Sequence, residues 1–278
     1  MFTLNCKGKL LVIDKPIVMG IVNITPDSFF KGELNQPKDE ILKMVEKMLN
    51  DGATIIDVGG QSTRPGSHRI EASEEADRVL PVIESIHNQF PELLISIDTY
   101  YSSVAKQAVS IGASIVNDVS AGNMDEYMIP AVGNLSVPYI CMHMKGTPES
   151  MQINPMYEDV VKEELDFFMD KIHNCKLAGI QDIVIDPGFG FGKSTTHNFT
   201  LLRQLELFSI FQSPLLVGVS RKGMIYKSLG ITPGEALNGT TALHMIALQN
   251  GATILRVHDV KEAMECIHLH EIYKKATL

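Results

Sequence analysis

The chain has 278 residues, 45% hydrophobic and 21% charged, enough to bury roughly 75% of its unfolded surface in one core, and α/β barrels of about 250 residues fold as single domains. Its net charge of −9, from 24 Lys and Arg against 33 Asp and Glu, excludes the basic stripe that neutralises nucleic-acid phosphates. No apolar run reaches the ~18 residues of a membrane span, and Lys and Asp interrupt the apolar residues at the start, so the expectation is a cytoplasmic protein binding neither nucleic acid nor membrane.

Residues 1–15 are expected to form a short hairpin closing the bottom of a barrel that occupies 16–278. Eight short β-branched runs then follow: 17–23 (IVMGIVN), 54–58 (TIIDV), 93–98 (LLISID), 114–118 (SIVND), 137–142 (VPYICM), 182–186 (DIVID), 215–219 (LLVGV) and 253–257 (TILRV). Helical stripes separate them, as in Ile41, Leu42, Val45, Met48 and Leu49, or Val161, Leu165, Phe168, Ile172 and Cys175. Gly-Ala pairs at 52–53, 112–113 and 251–252 precede strands, where the incoming helix needs a left-handed last residue. Strand alternating with helix implies a parallel sheet. Eight units in about 260 residues fit a single (β/α)₈ TIM barrel with a short N-terminal hairpin better than an open doubly wound sheet.

Active sites of such barrels lie at the C-terminal strand ends. Here those ends carry Asn23; Asp57 and then Gln61 to Gly66; Asp98; Asn117 and Asp118; Met142, His143 and Met144; Asp186 and then GFGFGK (188–193); Ser220, Arg221 and Lys222; and Arg256, His258 and Asp259. Period-two alternation puts Ser96 with Asp98, Ser220 with Lys222, and Arg256 with His258 on common strand faces. Asp98, Asn117, Asp186 and Lys222 then suit a planar, amide-rich heterocycle. Arg64, Arg256 and His258, with Thr63, offer cationic and hydroxyl donors for a phosphate tail.

Blander readings compete for single residues. Asp98 reads equally as the N-cap of the next helix, with Ser102 as the alternative cap, and Lys222 as a solvated surface lysine. The GFGFGK stretch fails the P-loop pattern because Pro187 stands where Gly is required, and it fails GxGxxG at Lys193. It is read as a tight loop with Phe191 exposed over the site, the alternative being core positions for Phe189 and Phe191. Cys266, His268 and His270 diverge on a helix and do not predict a metal site; His87 reads as structural, and the methionines as core filler. The four cysteines, Cys6, Cys141, Cys175 and Cys266, lack CxxC or zinc spacing and are expected to be reduced.

Six motifs in order, MGIVNITPDSF, TIIDVGGQSTRPG, CMHMKGTP, IDPGFGFGK, LLVGVSRK and RVHDVKE, resemble the dihydropteroate synthase family from Val18 to Val260. The resemblance implies a pterin pocket of Asp98, Asn117, Met142, Asp186 and Lys222. It also implies a pyrophosphate and Mg²⁺ end of Asn23, Thr63, Arg64, Arg256 and His258, with Asn23 on the metal. A p-aminobenzoate side of Phe29, Thr63, Pro65, Phe191, Ser220 and Lys222, where sulfonamides compete, completes the site. Asp98, Lys222, Arg256 and His258 are the implied catalytic set, and a homodimer is implied. Two departures stand out: Lys31 and Gln61 replace residues usually acidic in the family. They keep open a catalytically weak pterin-binding paralogue, beside a corrinoid-linked methyltetrahydrofolate methyltransferase. A phosphosugar aldolase or isomerase on the same fold is the third alternative.

Overall fold

A computed structural model of the chain describes residues 1–24, 36–61 and 69–276. The hairpin is β1 (Phe2–Cys6) and β2 (Lys9–Ile13), antiparallel, with Leu4 opposite Leu11. The eight following strands are β3 (Ile17–Asn23), β4 (Ile55–Gly59), β5 (Leu94–Asp98), β6 (Ile115–Asp118), β7 (Tyr139–Met142), β8 (Ile183–Asp186), β9 (Leu216–Val217) and β10 (Ile254–Val257). All are parallel in the order β8-β7-β6-β5-β4-β3-β10-β9. A bridge between Ile185 and Leu215, with the Ile185 amide donating to Pro214 O at 3.0 Å, joins the two ends into a barrel.

The described helices are α1 (Gln36–Asn50), α2 (Ala72–Gln89), α3 (Ser102–Ser110), α4 (Met128–Leu135), α5 (Val160–Leu177), α6 (Thr195–Arg203), α7 (Gly223–Leu229), α8 (Leu237–Gln249) and α9 (Val260–Lys275). They cover the outer face of the strands. Val45 on α1 and Phe168 and Cys175 on α5 are fully buried against that face, as the stripes require. All four cysteines are buried free thiols.

The barrel interior is layered by period-two alternation. Ile17 and Met19, Ile55, Leu94, Ile115, Ile140, Val184, Leu216 and Ile254 form an apolar floor, with Leu4, Cys6, Leu11 and Ile13 of the hairpin packed against it. Two residues further along β4, β5, β6, β7, β8 and β10 stand Asp57, Ser96, Asn117, Met142, Asp186 and Arg256. Side chains two apart share a strand face, so a dry floor leads directly into a mostly polar upper layer.

One strand is shorter than its sequence suggests. The β9 ladder ends at Val217, and the Lys222 amide turns back to donate to Val219 O at 3.1 Å. Ser220 and Lys222 therefore project from a turn, not from alternating strand positions. Arg221 between them holds a left-handed φ of 53°, unusual for a residue with a Cβ. Its guanidinium anchors that conformation through Asp259, at 2.8 and 2.9 Å, and through Pro233 O and Gly234 O at 3.0 and 2.6 Å.

Candidate active site

The upper layer is organised around one guanidinium. Arg256 Nε donates to Asp57 Oδ2 at 2.6 Å, and Nη2 donates to Asp98 Oδ2 at 2.7 Å. Asn117 Nδ2 donates to the same Asp57 oxygen at 2.9 Å, while Asp57 Oδ1 is buried with no hydrogen-bond partner among the described residues. Asp57 was legible as a strand-end carboxylate yet left out of the expected site. Its inward register, two residues after Ile55, was the signal that could have included it.

Asp98 therefore does not cap α3. Its helix begins after Tyr101 without a side-chain cap, and the Ser102 amide donates instead to Asp125 Oδ2 at 2.7 Å. Gly59 leaves the carboxylate room, since a Cβ there would lie 3.3 Å from Asp98 Cβ. Burial pushes the Asp98 carboxyl up to about 7, against the pull of Arg256. One cation shared by two carboxylates explains why burial wins. Burial likewise raises Asp186, with Lys222 opposing, and lowers the Lys222 ammonium to about 7, with Asp186 opposing. Arg256 stays above its usual range because Asp57 and Asp98 outweigh its burial.

Lys222 donates to Phe189 O, and its ammonium sits 4.6 Å from the centre of the Phe191 ring. Phe191 is not exposed as expected: it is 9% accessible and packs with Tyr100, Val119, Met142, Met144 and Met151 over the barrel mouth. Phe189 is fully buried in the outer core, as the alternative reading had it. Ser220 Oγ and His258 Nδ1 are 3.0 Å apart at the rim. His258 itself is solvent-exposed, but the surrounding protein and then Arg256 push its imidazole below the usual range. Two of the donors expected of Arg256 for a phosphate are already taken by carboxylates.

The structure thus brings Asp98, Asn117, Met142, Asp186, Phe191, Ser220, Lys222, Arg256 and His258 to one end of the barrel. Asn23 ends β3 at that same end and is exposed. Phe29, Lys31, Thr63, Arg64 and Pro65 lie outside the described residues. Gln61 Oε1 accepts from the Tyr100 hydroxyl at 3.0 Å and the Ile70 amide at 3.1 Å. A carboxylate could accept both of these bonds. Nearby, buried Glu75 accepts from Thr99 Oγ1 at 2.6 Å, and burial raises its carboxyl to about 7. Among the described residues no group of three or more His, Cys, Asp and Glu is arranged to hold a metal.

Residues 19–258 match the model of a family described as pterin binding enzyme. The dihydropteroate synthase of Escherichia coli K12 is 43% identical over 270 residues, covering 96% of this chain and 95% of that one. The chain belongs to the dihydropteroate synthase family. A crystal structure of Yersinia pestis dihydropteroate synthase in a sulfonamide drug complex superposes with a TM-score of 0.93 at 39% identity, covering 99% of this chain and 100% of that one. The Xanthomonas albilineans dihydropteroate synthase with 4-aminobenzoic acid gives a TM-score of 0.92 at 38% identity, with 99% of each chain covered. At the barrel mouth of this dihydropteroate synthase family member, three carboxyls, Asp57, Asp98 and Asp186, stand beside two cations, Lys222 and Arg256.

Proposed function

We infer that the chain condenses 6-hydroxymethyl-7,8-dihydropterin pyrophosphate with p-aminobenzoate, giving 7,8-dihydropteroate and pyrophosphate in folate biosynthesis. The observation that carries this reading is the polar layer itself, a closed set of carboxyl, amide and ammonium groups over an apolar floor. A pterin edge presents amide-like donors and acceptors in one plane, and Asp98, Asn117, Asp186 and Lys222 offer their complements. Met142 supplies an apolar contact beside them.

In the reaction the bond from the exocyclic methylene carbon to the diphosphate oxygen breaks, and its electron pair leaves with pyrophosphate. The aniline nitrogen attacks the cation-like carbon and then loses a proton. Charge separates in opposite directions, so preorganised groups on each side lower the barrier. Asp98 faces the developing positive charge. Arg256, His258 and Arg64, with Thr63, serve the departing diphosphate. We assign Ser220, Phe191, Phe29, Thr63, Pro65 and Lys222 to the aminobenzoate side; that the Yersinia pestis and Xanthomonas albilineans relatives were solved with a sulfonamide and with 4-aminobenzoic acid supports the substrate, by likeness. Lys222 orients the pterin; the reaction has no carbonyl that requires an imine.

Asn23 is the one protein ligand we assign to Mg²⁺, and its exposed amide oxygen at a strand end suits an ion that keeps waters and takes most other ligands from phosphate. Bound there, Mg²⁺ would neutralise charge on the leaving group. We also carry forward a cytoplasmic location and a homodimer. No described helix is long and apolar enough to cross a membrane, and exposed Ile246 on α8, with Leu269, Ile272 and Tyr273 on the neighbouring α9, supply apolar surface for a second copy.

Pyrophosphate release, followed with and without p-aminobenzoate, tests the reading. Release that depends on p-aminobenzoate and is inhibited competitively by a sulfonamide is expected. Release indifferent to p-aminobenzoate would mean hydrolysis and defeat it.

A further inference from the structure

The turn after β8 carries a lysine that the reaction above leaves unused. Lys193 has a fully buried side chain, yet its ammonium contacts five groups. It lies 2.9 Å from His143 Nδ1 and donates to Gly188 O and Phe191 O, each at 3.1 Å, and more weakly to His143 O at 3.4 Å. Glu164 Oε1 on α5 is 3.2 Å from the same ammonium and 3.3 Å from His143 Nδ1. Glu164 is also fully buried, so the charge balancing Lys193 comes from inside the protein.

The turn that this ammonium gathers is held at every carbonyl from 188 to 192. Gly188 O and Phe191 O go to Lys193, Phe189 O to Lys222, Gly190 O to Gln152, and Gly192 O to Tyr157. Gly188, Gly190 and Gly192 have φ of 66°, 86° and 65°, so every second residue takes a left-handed conformation. A Cβ at Gly188 would lie 2.0 Å from His143 O, and one at Gly192 would lie 2.2 Å from Lys145 O. The turn is therefore pressed backbone to backbone against the segment after β7. Two lysines grip it: Lys222 takes Phe189 O and stacks on the Phe191 ring, while Lys193 takes Gly188 O and Phe191 O.

We propose that Lys193 is a positioning residue for the aminobenzoate side: by binding Gly188 O and Phe191 O from within the core, against Glu164, it fixes the Phe191 ring and the Lys222 ammonium relative to each other. Phe191 has its own backbone carbonyl in that grip, so rotation of the turn would carry the ring off the ammonium. The carboxylate of Asp186 is tied to the same turn, accepting from the Gly188 amide at 2.8 Å. That bond is made by the Gly188 amide, whereas Lys193 takes only carbonyls, so it holds the turn's first residue without the lysine. Loss of the Lys193 contacts thus disturbs Phe191 more than the pterin carboxylate.

The inference rests on the assignment of Phe191 to the aminobenzoate side. Lys193→Met alone would strand the buried Glu164 charge, so the test uses Lys193→Met with Glu164→Gln, which removes both charges together. Lys193→Arg, which keeps a cation but not the compact ammonium, is the second variant. For each, steady-state KM for p-aminobenzoate is measured beside the calorimetric Kd for the pterin pyrophosphate. A KM for p-aminobenzoate raised about tenfold with pterin Kd within about twofold is expected. A folded variant with KM unchanged overturns the proposal, as does equal weakening of both substrates. Failure of both variants to fold assigns Lys193 to folding alone and also overturns it. A wild-type protein that forms no dihydropteroate defeats the underlying reading instead.

Discussion

Asp98 concentrates the chemistry of the site in one side chain. A carboxylate about 4 Å from a unit positive charge, at an effective dielectric of about 20, is worth roughly 4 kcal/mol gross, or about three decades of rate. Because the cation exists only near the transition state, Asp98→Asn is expected to lower kcat on the order of 10²- to 10³-fold and to change the pterin Kd by less than about tenfold. Equal losses in a steady-state and calorimetric comparison would contradict the role. Lys222 has an ammonium lowered to about 7, a feature shared with imine-forming lysines, so the test of its orienting role is direct. Borohydride added during turnover is expected to leave Lys222 unmodified by mass spectrometry. Glu75 offers a pH test. Its carboxyl is raised by burial to about 7, so its contribution to stability is fully present below its ordinary value and is lost as pH rises through about 7. Glu75→Gln removes that loss, up to about 3 kcal/mol by linkage. The variant's melting temperature should gain on the wild type between pH 5 and pH 8; a constant gap would refute the assignment. Asp98 adds a slope of the same sign, whereas the Lys222 contribution is lost as pH falls through about 7, so only the difference between the two proteins isolates Glu75.

At the scale of elements, the strands were legible because a β-branched run between helical stripes has few other ways to bury itself. All eight appear within two residues of their expected bounds. Strand ends were less so. Val219 and Ser220 look like a continuation of β9, but the turn closed by the Lys222 amide and braced by Arg221 has no period that a sequence reveals. The burial of Phe191 is hidden in the sequence for a related reason. Its burial depends on Tyr100 from the loop after β5 and on Met144 and Met151 from the loop after β7, which have no fixed spacing from it. In the sequence Lys193 stands out only as the residue that spoils a nucleotide motif, because its partners His143 and Glu164 lie 50 and 29 positions away. The hairpin makes a sharper prediction. Leu4 is 2% accessible and packs into the barrel floor. Leu4→Ala should cost about 2–5 kcal/mol in urea unfolding while leaving both KM values unchanged, since the floor is a layer below the polar groups. A change in KM without a change in stability would show the two ends to be coupled.

For the molecule as a whole, the eight-stranded closure does more than bury residues. It sets Asp57, Asp98, Asn117, Asp186 and Arg256, drawn from five strands, around one axis, where no two of them are near in sequence. Their types were readable at the strand ends; their pairing was not, and the guanidinium of Arg256 proved to be shared by two carboxylates before any phosphate arrives. The net acidity of the chain and its anionic substrate are compatible because the local field, not the total charge, meets the ligand. The central claim is that this layer joins a pterin to an arylamine, and chromatographic quantification of product tests it most directly. Purified protein supplied with the pterin pyrophosphate, Mg²⁺ and p-aminobenzoate is predicted to form 7,8-dihydropteroate and pyrophosphate in a one-to-one ratio. Tight pterin binding with no dihydropteroate formed would contradict the account.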